Sequence, residues 1–160
     1  MNKKEKLLKA ARNNFKIRFF MLKKLPLAFI AGLRVIHIDD KKAAVSIPYK
    51  FLNQNPFKSI YFAALAMAAE LSTGILALTS VKTASKPVSM LVFAMSANFT
   101  KKAKGKIVFS CYEGKEIEET IEESIQTGEG KTITVRSKGI DKKGAEVAEF
   151  KFTWTFKPKA

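Results

Sequence analysis

The stretch Ser59-Ile-Tyr-Phe-Ala-Ala-Leu-Ala-Met-Ala-Ala-Glu70-Leu-Ser-Thr-Gly-Ile-Leu-Ala-Leu-Thr-Ser-Val81 runs for 23 residues with Glu70 as its only charge. Alanine and leucine dominate it, so it predicts one long helix, with Ser59 as its N-cap. At ~1.5 Å per residue such a helix is ~34 Å long, enough to cross a bilayer. A mid-span carboxylate would cost roughly 2.5–3.5 kcal/mol on insertion. Ser72, Thr73, Thr79 and Ser80 add polarity. The strand signals that follow also need a helix to cover them. A helix apolar on nearly all sides is therefore expected at the centre of a soluble domain, not across a membrane.

Downstream, Val88 to Thr100 opens with apolar residues on both faces, the pattern of a strand buried from two sides. After the basic turn Lys101-Lys-Ala-Lys-Gly105, residues Ile107, Phe109 and Cys111 share one face of another strand. Ile117, Ile121 and Ile125 recur every four residues among glutamates and predict a short surface helix over 115–127. Thr132 to Ile140, the turn Asp141-Lys-Lys-Gly144 and Ala145 to Phe156 predict a closing hairpin. In its second arm Phe150, Phe152, Trp154 and Phe156 face one way, and Val147 breaks the alternation, as a bulge would.

Upstream, Gly32 to Asp39 and Ala43 to Tyr49 predict two antiparallel strands around an Asp-Asp-Lys-Lys turn, with His37 read as structural. Residues 1–27 read as a basic amphipathic helix ended by Pro26, with Leu7, Leu8, Ala11, Phe15, Phe19 and Leu22 at helical spacing. This helix is expected to pack on the domain formed by residues 28–160, a membrane surface being the other partner its chemistry allows.

At 160 residues the chain suits one domain with a real core. A single cysteine and a single histidine exclude an intramolecular disulfide and argue against a metal centre; neither metal nor cofactor is expected. The cysteine count fits a reducing cytoplasm. The net charge is +15, and seven acidic residues fall between Glu113 and Glu129 beside one base, Lys115. That segment carries −6, so the rest of the chain carries +21. No zinc-finger spacing, RNP-like motif or Gly-rich phosphate loop accompanies this charge, so no specific nucleic-acid partner is expected.

The loop Asn53-Gln-Asn-Pro56, the helix Ile60-Tyr-Phe-Ala-Ala-Leu-Ala-Met-Ala-Ala-Glu-Leu71 and the hairpin Asp141-Lys-Lys-Gly-Ala-Glu-Val-Ala148 resemble the hotdog-fold acyl-thioesterase superfamily. The similarity includes a branch found fused to acetyltransferases in some bacteria. The resemblance implies an α+β fold in which a six-stranded antiparallel sheet wraps one long helix, preceded here by the extra N-terminal helix. It also implies a homodimer, or a tetramer of two such dimers, binding an acyl-CoA or acyl-carrier thioester between protomers. On this chain it places the reacting carboxylate, base or nucleophile, at Glu70, and a positioning amide at Asn55, with Asn53 and Gln54 as alternatives. Thr73 would orient carboxylate or water, and backbone N–H groups of Tyr61 and Phe62 would polarise the thioester carbonyl. Lys101, Lys102, Lys104 and Lys106 would hold the CoA phosphates. Several relatives carry His-Gly at the helix start where this chain has Ile60-Tyr-Phe-Ala63. A non-enzymatic acyl- or lipid-binding protein is the alternative function.

Overall fold

A computed structural model describes residues 2–159. Its elements are helices α1 (Lys3–Arg12), α2 (Asn14–Lys24) and α3 (Pro26–Ala31), strands β1 (Arg34–Ile38) and β2 (Ala43–Ile47), and the long helix α4 (Phe62–Thr83). Strands β3 (Val88–Phe99) and β4 (Ile107–Cys111), helix α5 (Gly114–Thr127), and strands β5 (Lys131–Ile140) and β6 (Glu146–Pro158) complete the chain. All six strands form one antiparallel sheet in the order β1-β2-β4-β5-β6-β3. The sheet curls around α4, most of which is buried, so this membrane-length helix is the core of the domain. This is the hotdog arrangement.

Inward-facing aromatics fill the space between sheet and helix. Phe109, Phe150 and Phe156 are fully buried, and the Phe150 ring lies 5.7 Å from Phe109 and 5.9 Å from Phe152. A Cβ on Gly139 would fall 2.5 Å from the Phe109 ring, so only glycine lets that ring lie beneath β5. The bulge is where the broken alternation put it. Gly139 pairs with Ala148 and Ile140 with Glu146, which leaves Val147 unmatched in β6. The carbonyl of Val147 instead accepts from the N–H groups of Thr100 and Lys101. Helix α5 packs through buried Ile117, Ile121 and Ile125.

Three expectations need correction. The N-terminal helix is not continuous: Asn13 adopts an extended backbone, closes α1 and caps α2 by accepting from the N–H groups of Phe15 and Lys16 at 3.1 Å. Ser59 does not cap α4. Its hydroxyl turns back to Asn55 Oδ1 at 3.1 Å, and the chain stays extended through Tyr61, held by Ile60 N–H to Ala103 O and Tyr61 N–H to Asn53 O. Strand β3 is not buried from two sides. It is an edge strand paired only with β6, and Leu91, Phe93, Met95 and Phe99 are exposed in the single chain.

Candidate active site

Glu70 sits in the third turn of α4, where the helix faces α2 and β3. Its side chain has no hydrogen-bond or ion-pair partner among the described residues. Burial in apolar surroundings raises its pKa above the ordinary 4.5, because the ionised form loses hydration without a compensating donor. The carboxylate opens on a pocket of about 160 Å³ lined by Phe20, Lys24, Leu25, Gly74, Leu78 and Met90. Gly74 makes this placement possible: a Cβ there would meet Glu70 Oε1 at 2.9 Å and the Trp154 ring at 3.3 Å. Gly74→Ala should improve helix propensity by about 1 kcal/mol yet displace the carboxylate. The expected result is an unchanged or slightly raised melting temperature with a reduced turnover number, read by calorimetry and by thiol release.

A second, larger groove of about 520 Å³ lies at the N-terminus of α4. Asn55, Phe57, Tyr61, Phe62, Phe99, Lys101 and Lys102 line it. Tyr61 caps the helix without any side-chain hydrogen bond, so the first backbone donors of the helix point outward unsatisfied. Tyr61 N–H itself is not one of them, being held by Asn53 O at 2.7 Å. The open donors are those of Phe62 and Ala63, one residue later than the sequence suggested. Helix geometry aims them, with the positive end of the helix dipole, at the groove.

The loop amides are mostly engaged. Asn55 Oδ1 accepts from the N–H groups of Phe57 and Ser59 and from the Ser59 hydroxyl, while Nδ2 donates to Ile60 O at 3.4 Å. Buried Asn53 donates to Ala31 O at 2.8 Å and Pro48 O at 2.9 Å. Gln54, between them, is exposed, and its side-chain amide has no partner among the described residues. Thr73 is fully buried on the sheet side, donating to Glu70 O at 2.9 Å and accepting from Trp154 Nε1 at 3.0 Å. That hydroxyl secures the indole of β6 and points away from the pocket in front of Glu70. Thr73→Val would leave the buried indole N–H without its acceptor, so a loss of about 1–3 kcal/mol is expected by chemical denaturation.

Of the four lysines, Lys101 and Lys102 line the groove and Lys104 and Lys106 are exposed outside it. Lys101 is ion-paired with Asp141 at 2.8 Å, a contact that, with the turn N–H groups, pulls the Asp141 carboxyl down to about 2. Among the described residues Lys102 is the lysine of the groove left without an acidic partner, its Nζ 5.7 Å from the Phe57 ring centre. Two other potentially reactive groups lie elsewhere. Burial pushes the Cys111 thiol up to about 12, which leaves it inert, and exposed His37 pairs with Asp39 at 2.9 Å.

Glu70 and the open helix N–H groups do not meet within one chain. They are separated along α4 by roughly 12 Å, eight residues at about 1.5 Å each, and they open on different pockets. The sequence also gave no sign that Phe20, Lys24 and Leu25 would border Glu70, since only tertiary packing brings α2 against α4.

Residues 14–156 match the family described as Domain of unknown function (DUF4442). The chain belongs to the DUF4442 family. No curated protein matches the sequence. Among solved structures, this DUF4442 chain is similar to the probable thioesterase PA5026 of Pseudomonas aeruginosa, with a TM-score of 0.76 and 22% identity over 91% of this chain and 96% of that one. It is also similar to the thioesterase HI1161 of Haemophilus influenzae, with a TM-score of 0.66 and 10% identity over 91% of each chain. The PaaI protein of the E. coli phenylacetic acid degradation operon superposes with a TM-score of 0.64 and 14% identity over 96% of each chain. At these identities the likeness establishes the shared hotdog fold.

Proposed function

We propose that this DUF4442 protein is a cytoplasmic thioesterase that hydrolyses an acyl-CoA or acyl-carrier thioester, with Glu70 as the reacting carboxylate. The observation that carries this reading is an unpartnered, half-buried carboxylate on the central helix of a fold shared with thioesterases. A carboxylate whose pKa is raised by burial is a stronger base than a solvated one. As base it takes a proton from water, whose oxygen attacks the thioester carbon. The oxyanion forms at the Phe62 and Ala63 N–H groups, then collapses; the thiolate departs and recovers the proton from Glu70. As nucleophile the same carboxylate attacks the thioester carbon and expels the thiolate, leaving a mixed anhydride. Water opens it to the free acid and the regenerated Glu70 carboxylate, its proton passing to the thiolate.

Because the two halves lie about 12 Å apart on one helix, the functional unit is a homodimer in which the helix start of one protomer faces Glu70 of the other. The open edge of β3 supports this. Met95 and Phe99 pair with Phe152 and Ala148 of β6, so they point to the helix side of the sheet, yet they remain exposed. A second copy would cover them. With Asn53 and Asn55 engaged in the loop, Gln54 is the amide free to hold water or thioester, and Lys102 is the lysine best placed for a CoA phosphate. Thiol release from a panel of acyl-CoAs and acyl-carrier-protein thioesters of graded chain length tests the proposal; no turnover of any member would overturn it.

One observation favours a second reading, an acyl-binding protein without hydrolysis. Tyr61 and Phe62 crowd the helix start, their rings 5.0 Å apart and Phe62 edge-on to Phe99 at 6.4 Å. Acyl ligand recovered by mass spectrometry, with no thiol released from any acyl-CoA, would select it.

A further inference from the structure

Helix α2 is apolar on two sides. Ile17 and Met21 face the core, 7% and 1% exposed. Phe15, Phe19 and Leu22, spaced i, i+4, i+7, form a second stripe that is 89%, 57% and 48% exposed. Helix α3 repeats the arrangement, with Ala28 and Ala31 buried and Leu27 and Ile30 exposed. The inner stripe is enough to hold these helices on the domain. The outer one, five large side chains on consecutive helices, has no partner among the described residues and is more than scattered surface apolarity.

The charge around this stripe is of one sign. Residues 6–38 contain eight lysines and arginines and no acid. Lys16, Lys23 and Lys24 are exposed, and Lys23 Nζ lies 4.5 Å over the Phe19 ring. A second copy of the chain is a poor occupant, because a two-fold contact would set exposed Lys16, Lys23 and Lys24 against their own copies. Bulky apolar side chains among lysines instead match the boundary between acyl chains and anionic headgroups.

We propose that the α2–α3 face docks on an anionic lipid bilayer, with Phe15, Phe19, Leu22, Leu27 and Ile30 entering the interface and Lys16 and Lys23 meeting lipid phosphates. This docking rests on the surface alone and holds whether or not Glu70 is catalytic.

The test is sedimentation of the full chain with phosphatidylcholine vesicles, with and without phosphatidylglycerol. Binding is expected only with phosphatidylglycerol, weakening as salt rises. It should fall by about 10-fold or more in Lys16→Glu/Lys23→Glu, and comparably in Phe15→Ser/Phe19→Ser, whose exposed positions leave the melting temperature unchanged. Phe19→Trp should report a blue-shifted emission on the same vesicles. No binding to phosphatidylglycerol vesicles at low salt would overturn the proposal, as would full binding by Phe15→Ser/Phe19→Ser. So would light scattering showing that this variant lowers the oligomeric state, which would assign the face to another copy of the chain.

Discussion

Glu70→Gln is expected to lower thiol release from acyl-CoA by about 10²–10⁴-fold, the range for loss of a general base, while the protein stays folded. Glutamine keeps the size of the side chain and removes only its capacity to ionise. The direction of the stability change separates this from a merely structural carboxylate. Glu70 has a folded pKa raised above 4.5 by burial, so the folded state holds its proton more tightly than the unfolded state does. The associated stabilisation is complete below the unfolded value and is lost as pH rises through the raised one. Above that raised pKa the wild type therefore carries a destabilising buried charge that Glu70→Gln lacks. The variant should melt higher than wild type on the alkaline side of it, and the difference should vanish in acid. A carboxylate held by a strong hidden partner would give the opposite, a lower melting point on substitution. In the wild type, kcat/KM should rise with pH through the raised pKa, because a base works only when ionised. A rate independent of pH across that limb, or full turnover in Glu70→Gln, would remove Glu70 from the mechanism.

Met95→Lys is expected to convert the protein to monomer and to abolish turnover with it. Met95 lies on the helix side of edge strand β3, half exposed in the single chain, so a lysine there costs the isolated fold little. Buried between two protomers, an unpaired ammonium costs about 3 kcal/mol or more, roughly a 10²-fold weaker dimer. Analytical ultracentrifugation reads the mass, and thiol release at protein concentrations above and below the new dissociation constant reads the activity. Activity that returns with concentration supports a site shared between protomers. Full activity in a proven monomer would show that one chain suffices, despite the distance between Glu70 and the helix start.

Periodicity made much of this fold legible. Local sequence sets side-chain direction in strands, so the inward row of Phe150, Phe152, Trp154 and Phe156 and the Val147 bulge could be read directly. The spacing of Ile117, Ile121 and Ile125 fixed α5 in the same way. Errors arose where a segment's partner lay far away in the chain. Ser59 has the chemistry of a cap, but the N–H groups that follow it are claimed by Ala103 and Asn53, so α4 starts later and its open donors move to Phe62 and Ala63. The apolar start of β3 signals burial on both faces, yet the single chain offers a partner only in β6. Such composition records what the strand needs, not which molecule supplies it.

The long helix with one charge was evident from sequence alone, because 23 residues with a single carboxylate permit few alternatives in water. Its placement inside an antiparallel sheet followed from strand periodicity and from the resemblance those residues carry. Tertiary structure alone decided what surrounds Glu70. It set the carboxylate against Gly74 and under α2, without a donor, turned Thr73 toward Trp154, and engaged Asn55 within its own loop. The reason is physical: a residue's type states which hydrogen bonds and charges it can make, but competition among neighbours brought together by folding decides which of them it makes.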